Sequence, residues 1–253
     1  MADITNAAVI GGGIMGRGIA AMLANNKIPT TIYDVSQDLA QKGLDLLADE
    51  KAKPPLLYTT KYAKYLSARA MGDLQGLGSA DLIVEAVPEI LSLKQDTWKK
   101  LDAARKPGSI AATNTSGLSL ASIAHGLSDD LRKNFLGAHF FNPVRYLPLV
   151  ELIPTSETAP TAMETLRALL WGYGKEPVIG KDTPNFIANR VGIYMMMKVV
   201  SLMDKYGFDV ETIDMLTGTP IGNPKTATFR LADLVGIDTL VHAAKNCLAN
   251  CDR

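Results

Sequence analysis

Cysteine is nearly absent: the 253-residue chain has two, Cys247 and Cys251, four positions apart on what reads as one helix face. That is too few for a disulfide framework, and no cluster of His or Cys elsewhere would complete a metal site, so reduced thiols and no metal are expected. Excess charge is absent too, with 26 Lys plus Arg against 26 Asp plus Glu. A polyphosphate partner draws a surplus of basic residues, so the balance excludes a general nucleic-acid binder. Nor is there a long hydrophobic run. The longest uncharged stretch, Pro107 to Ser128, is crowded with Ser, Thr, Asn and Gly and cannot supply the ~20 predominantly apolar residues of a membrane helix. The chain starts without a basic region leading into an apolar core, and a cytoplasmic protein with no membrane span is the expectation. What remains is an ordinary globular composition, 47% apolar. Its length suits one large domain or one domain with a smaller companion.

Residues Ala7 to Ile10 form a short apolar run ending at three consecutive glycines, and a helix-spaced apolar stretch follows from Ile14 to Leu23. That order reads as strand, tight turn, helix. Thr30 to Tyr33 is a second β-rich run stopped by Asp34, and Ser36 is placed to cap a helix through about Ala48. A helical segment is expected around Leu56 to Met71. Leu82 to Ala86 and Ser109 to Thr113 read as buried strands either side of a helix from Leu91 to Ala104. Strands of continuous apolar residues alternating with helices predict an α/β, Rossmann-type, mostly parallel sheet with helices on both faces. Beyond Thr113 come a short helix at Leu120 to Ala124, strand-like runs at Phe135 to Phe141 and Leu149 to Ile153, a helix from Ala159 to Tyr173 and a strand at Glu176 to Ile179. Thr183-Pro184 punctuates the chain. A long helix from Ile187 to Tyr206 carries Met195, Met196 and Met197, and only helix and loop follow. The predicted organisation is therefore a domain over 1–183 with a helical insert at about 50–72, then a smaller all-helical domain over 184–253.

Gly11, Gly13 and Gly16 make a G-x-G-x-x-G turn after a strand and at the head of a helix. The first glycine permits the sharp turn, the second lets backbone approach a pyrophosphate, and the third allows close helix packing. The helix N-terminus adds N–H groups and a favourable dipole for the anion. Asp34, 23 residues after Gly11, stands where a carboxylate accepts hydrogen bonds from an adenosine ribose and would repel a 2′-phosphate. A plain Gly-rich turn and a strand-ending aspartate are the bland alternatives. The agreement of turn, spacing and strand favours a dinucleotide, and NAD over NADP.

Polar residues gather at the ends of later strands. Val84-Glu85-Ala86-Val87-Pro88-Glu89 closes one, Thr113-Asn114-Thr115-Ser116 the next, and His139-Phe140-Phe141-Asn142-Pro143-Val144 a third, with Leu149-Val150-Glu151 beyond. With these motifs the chain resembles the NAD-dependent 3-hydroxyacyl-CoA dehydrogenase family from Val9 to about Asp238. The resemblance implies oxidation of (S)-3-hydroxyacyl-CoA to 3-oxoacyl-CoA in fatty acid β-oxidation, with NAD as cofactor and an acyl-CoA as substrate. Carried onto this sequence, it implies a catalytic pair His139 and Glu151, with Ser116 and Asn189 contacting substrate. It puts Ile14 and Met15 with the glycines Gly11, Gly13 and Gly16 and Asp34 around the cofactor, and Glu89, Lys94, Ser116 and Asn142 along its nicotinamide half. Asn189 lies in a T-P-N-F-I-A-N-R segment in which Asn185 replaces the family's Gly, a mild departure because Asn tolerates positive φ.

The chemistry suits these types. Imidazole titrates near neutrality and can take a hydroxyl proton, and a carboxylate on its other nitrogen fixes the tautomer and stabilises the imidazolium. On residue type alone, a satisfied core histidine with a structural carboxylate partner is equally open. The neutral average also hides a basic segment: Lys51, Lys53, Lys61, Lys64 and Arg69 occur without an acid between Lys51 and Gly72, with Tyr58, Tyr62 and Tyr65 interleaved. By the resemblance, this segment and its lysines 51, 53, 61 and 64 hold CoA; a solvated basic face is the alternative. The chain stops sooner than the family's helical domain does, and the segment Thr219 to Asp233 looks like long fusions that carry an enoyl-CoA hydratase-like region. Expected, therefore, are a truncated helical domain, a homodimer through it, and a fused or associated hydratase. Competing functions are another β-hydroxyacid dehydrogenase, disfavoured by the His139/Glu151 pair, and a non-enzymatic NAD-binding or crystallin-like relative.

Overall fold

The computed structural model describes residues 4–49 and 55–250; Lys51, Lys53 and Cys251 lie outside the described residues. Contacts divide the chain into two units, residues 1–182 and 183–253. In chain order the first contains β1 (Ala7–Ile10), α1 (Ile14–Asn25), β2 (Thr30–Asp34), α2 (Gln37–Ala48), β3 (Leu66–Ala70), β4 (Leu82–Glu85) and α3 (Leu91–Ala104). It continues through β5 (Ile110–Thr113), α4 (Leu120–Ile123), α5 (Asp129–Asn134), β6 (Phe135–Phe140), β7 (Leu149–Pro154), α6 (Pro160–Gly172) and β8 (Glu176–Ile179).

The strands form one eight-stranded sheet in the order β3-β2-β1-β4-β5-β6-β7-β8. Its pairs are parallel except β6 with β7. Every residue of β1, β4, β5 and β6 is buried, as parallel strands covered on both faces require. The Rossmann-type sheet that the alternating pattern predicted is thus present. Strand order runs outward from β1 in both directions, which leaves a crevice at the carboxyl ends of β1 and β4 where such sheets bind ligands. Ser36 caps α2 by accepting from the Leu39 N–H at 3.3 Å.

The helical insert expected at about 50–72 is not what forms. Its described part holds one 3₁₀ turn, Thr60–Tyr65, and then the edge strand β3. Tyr58, Tyr62 and Tyr65 carry a helix-like spacing, but their rings cluster instead through a T-shaped contact and a stack, at 6.4 and 6.2 Å. The open edge of β2 offers backbone partners, and β3 takes them in parallel register from Thr30↔Leu66 to Asp34↔Ala70. A hydroxyl pair, Thr31 with Ser67 at 2.9 Å, reinforces this pairing.

The second unit contains α7 (Ala188–Tyr206), α8 (Val210–Thr217), α9 (Phe229–Val235) and α10 (Ile237–Asn250), and no strand among its described residues. Gly207 ends α7 in the left-handed conformation at φ 68°, the usual glycine stop. The buried Asp214 carboxylate accepts from the N–H groups of Thr228, Phe229 and Arg230 at 2.6 to 3.1 Å and so organises the start of α9. Asn185 takes φ 58° ahead of α7, the left-handed region in which Asn is the best-tolerated replacement for Gly. Among the described residues no helix is long and apolar enough to cross a membrane.

Candidate active site

The glycine turn is built by exclusion. Gly11 lies at φ +100°, and a Cβ there would stand 2.8 Å from the Ala86 carbonyl oxygen, which locks the end of β1 against the end of β4. A Cβ on Gly16 would fall 1.8 Å from the Gly11 carbonyl oxygen. At Gly13, by contrast, a Cβ would meet nothing within 4 Å, so backbone is presented to open space at the head of α1. No side chain caps α1 and no acid occupies its first turn, which leaves the positive end of the helix dipole available to an anion. Asp34 stands beside this turn. Its Oδ2 accepts from Gly12 N–H and its Oδ1 from Val35 N–H, both at 2.7 Å, so the carboxylate is oriented yet keeps acceptor capacity for two hydroxyls. Ile14 is exposed and Met15 half-buried at the opening. These features fit a dinucleotide.

The second cluster comes from the antiparallel pairing of β6 with β7, whose register sets His139 directly opposite Glu151. Their side chains meet at 2.6 Å, Nδ1 to Oε2, with both residues buried. A carboxylate on Nδ1 directs Nε2 to whatever chemistry the ring performs. The Phe141 ring packs on the imidazole with centroids 4.4 Å apart. Asn114, at the end of β5, accepts from Phe140 N–H at 2.9 Å and ties this strand end to the next.

Glu89 gathers the loop after β5: its Oε1 accepts from Thr115 Oγ1 at 2.6 Å, from Ser116 N–H at 2.7 Å and from Gly117 N–H at 3.1 Å. The Ser116 hydroxyl also donates to it at 3.2 Å. Burial pushes the Glu89 carboxyl up, but the Lys94 charge, the Thr115 hydroxyl and the Ser116 N–H together hold it below the usual range. Lys94 itself is buried, donating to Glu85 Oε1 at 2.7 Å and the Val87 carbonyl at 3.1 Å and lying 3.4 Å from Glu89 Oε2. Any part it takes in holding a cofactor therefore runs through Glu89 and the 87–89 backbone. Asn142 is exposed just past Phe141 and is followed by a cis peptide to Pro143. Lys61 and Lys64 are exposed on the 3₁₀ turn, and Asn189 occupies the first turn of α7 in the second unit.

Glu85 lies in the Val84-Glu85-Ala86-Val87-Pro88-Glu89 run, and no spacing or motif assigns it a task. It is fully buried: Oε1 accepts from Lys94 and from Val87 N–H at 2.8 Å, and Oε2 from Thr113 Oγ1 at 2.7 Å and Trp98 Nε1 at 3.3 Å. This carboxylate is the floor beneath the strand ends that carry Glu89 and Ser116. The signal was available, since an acid inside an otherwise apolar buried strand must be paired. Replacing Glu85 with Leu leaves the Lys94 ammonium short of its nearest partner, and is expected to cost about 3–5 kcal/mol in urea unfolding. A loss under about 1 kcal/mol would show that the network does not hold the floor.

Residues 6–183 match the family model described as 3-hydroxyacyl-CoA dehydrogenase, NAD binding domain, and residues 186–252 match the C-terminal domain of the same family. A probable 3-hydroxyacyl-CoA dehydrogenase of Bacillus subtilis is 42% identical over 98% of this chain and 34% of its own length. Another, of Deinococcus radiodurans, is 38% identical over 95% of this chain and 72% of its own length. The chain thus spans about a third of the length of the first relative and most of the second. Among solved structures, (S)-3-hydroxybutyryl-CoA dehydrogenase from Ralstonia eutropha superposes with a TM-score of 0.85 at 28% identity, covering 98% of this chain and 88% of its own.

Proposed function

This chain belongs to the 3-hydroxyacyl-CoA dehydrogenase family and carries its NAD-binding domain, and on that premise we propose that it interconverts (S)-3-hydroxyacyl-CoA and 3-oxoacyl-CoA in fatty acid β-oxidation. The observation that carries this reading is the buried His139–Glu151 pair, 2.6 Å apart, across the paired strands β6 and β7 of the sheet whose β1 and β4 ends form the dinucleotide crevice. In the oxidation direction His139 Nε2 removes the hydroxyl proton, and in reduction it returns one. Glu151 accepts from Nδ1–H and stabilises the imidazolium formed on proton uptake. Ser116 hydrogen-bonds the reacting oxygen, whose partial negative charge grows in either direction, and Asn189 is the substrate contact that the family resemblance assigns to the second unit. NAD, when bound, supplies the hydride chemistry. The chain's task towards it is to hold it: Gly11, Gly13, Ile14, Met15 and Gly16 at the pyrophosphate, Asp34 at the ribose, and Glu89, Ser116 and Asn142, with Lys94 behind Glu89, on the nicotinamide side.

Lys61 and Lys64 are the described lysines assigned to CoA, whose phosphates need such donors. A homodimer formed through the helical unit draws support from α7, which exposes Tyr194, Met195 and Met197. A fused or associated enoyl-CoA hydratase would supply the 3-hydroxyacyl thioester, and a reducing cytoplasm suits the two cysteines. The reading is tested by following NADH oxidation with acetoacetyl-CoA and with free acetoacetate. Saturable turnover of the thioester, with at least a hundredfold lower kcat/KM for the free acid, is the expected result. No turnover by folded protein that binds NADH would overturn it.

A further inference from the structure

Residues 55–58 form a junction between three parts of the first unit. On one side the Asn25 amide, at the end of α1, donates to the Leu56 carbonyl at 3.0 Å and accepts from Tyr58 N–H at 2.8 Å. On another, Arg145 Nη1 donates to the carbonyls of Pro55 at 2.6 Å and Leu57 at 2.9 Å. The guanidinium carbon lies 4.9 Å from the Tyr58 ring centre and 5.3 Å from that of Tyr146, whose hydroxyl donates to the Pro55 carbonyl at 3.2 Å. Arg145 stands in the loop that leaves the His139 strand. That loop is itself fixed from below, because the buried Lys175 ammonium donates to the carbonyls of Val144 and Leu147. Downstream of Tyr58, the ring of Tyr62 meets it edge-on and Tyr65 stacks on Tyr62, with the Lys64 ammonium 5.2 Å from the Tyr65 ring centre.

We infer that Arg145 is a positioning residue for the CoA handle: it ties the segment carrying Lys61 and Lys64 to the loop beyond His139, so that the two ends of the substrate are held at a set separation. The inference rests on the acyl-CoA reading above. Arginine suits the position because one planar guanidinium reaches two carbonyls while lying over aromatic rings, which a lysine point charge does not reproduce. The clamp acts on binding of the handle and leaves the proton chemistry alone. Its loss therefore separates substrates by whether they carry the handle.

The test compares wild type, Arg145→Ala and Arg145→Lys with acetoacetyl-CoA and with the truncated N-acetylcysteamine thioester, alongside calorimetric titration with CoA itself. Arg145→Ala is expected to raise KM for the CoA thioester roughly tenfold, the scale of losing hydrogen bonds from a charged donor. Its kcat should stay within about twofold, and its KM for the truncated thioester should not change. Arg145→Lys should recover less than half of the loss on a logarithmic scale, and CoA affinity should fall in step with KM. If Arg145→Ala does not fold, Arg145→Lys carries the same comparison. Equal rises for both thioesters, an unchanged KM for the CoA thioester, or equal CoA affinity in wild type and variants would overturn the clamp. A wild type that turns over no thioester overturns the proposed activity, and the CoA titration still decides the clamp.

Discussion

Replacing His139 with Gln is expected to lower kcat for acetoacetyl-CoA reduction by about 10³-fold or more, within the range that general acid–base catalysis contributes, while KM for both substrates stays within about threefold. Glutamine is close in reach and can still donate to Glu151, so the 2.6 Å contact has a stand-in and the β6–β7 pairing need not shift. It cannot carry a proton back and forth. The measurement is steady-state NADH oxidation on protein whose near-ultraviolet circular dichroism matches wild type. A loss below about tenfold would mean that another group moves the proton.

The glycine turn gives the other large effect, and the two relevant glycines should fail in different ways. Gly16→Ala places a methyl 1.8 Å from the Gly11 carbonyl oxygen. The obstacle is backbone at the end of β1, not the tip of a flexible side chain, so the cost should exceed about 4 kcal/mol, at the severe end for single substitutions. Gly13→Ala meets nothing within 4 Å and should change stability by under about 1 kcal/mol, the ordinary range for a site without packing contacts. Its methyl nevertheless stands where, in the proposed binding mode, the pyrophosphate approaches backbone, and NADH affinity by fluorescence titration should fall at least tenfold. A Gly16→Ala protein that unfolds at the wild-type urea concentration, or a Gly13→Ala protein that binds NADH normally, would contradict this account of the turn.

What the sequence revealed and what it hid have physical causes. Strands β1, β4 and β5 were legible because each is a compact apolar run bounded by turn residues. The Ser36 cap was legible because a hydroxyl before a helix-spaced segment has one common use. The antiparallel register that seats His139 across from Glu151 was not written in either strand alone. Motif resemblance names the two residues as a pair but not their register, which depends on both strands and the connection between them. Strand β3 was missed because Leu66–Ala70 is short and half-buried, and its strand state depends on the open edge of β2 rather than on its own pattern. Glu85 and Arg145 escaped for a related reason. The side chains that pair with Glu85 are 9 to 28 residues away and the carbonyls that Arg145 holds are 88 and 90 away; the apolar setting of Glu85 says that it must be paired, but no local spacing says with what.

In the proposed mechanism His139 and Glu151 act as one proton-transferring unit, and a double-mutant cycle on kcat measures whether they do. Glu151→Gln alone should cost about 10²-fold or more, because the imidazolium loses its carboxylate. If the pair is one unit, the variant carrying both His139→Gln and Glu151→Gln should be no slower than His139→Gln alone, to within about threefold, since groups that act together are strongly non-additive. Losses that multiply across the two substitutions would contradict the account and assign Glu151 a task independent of His139.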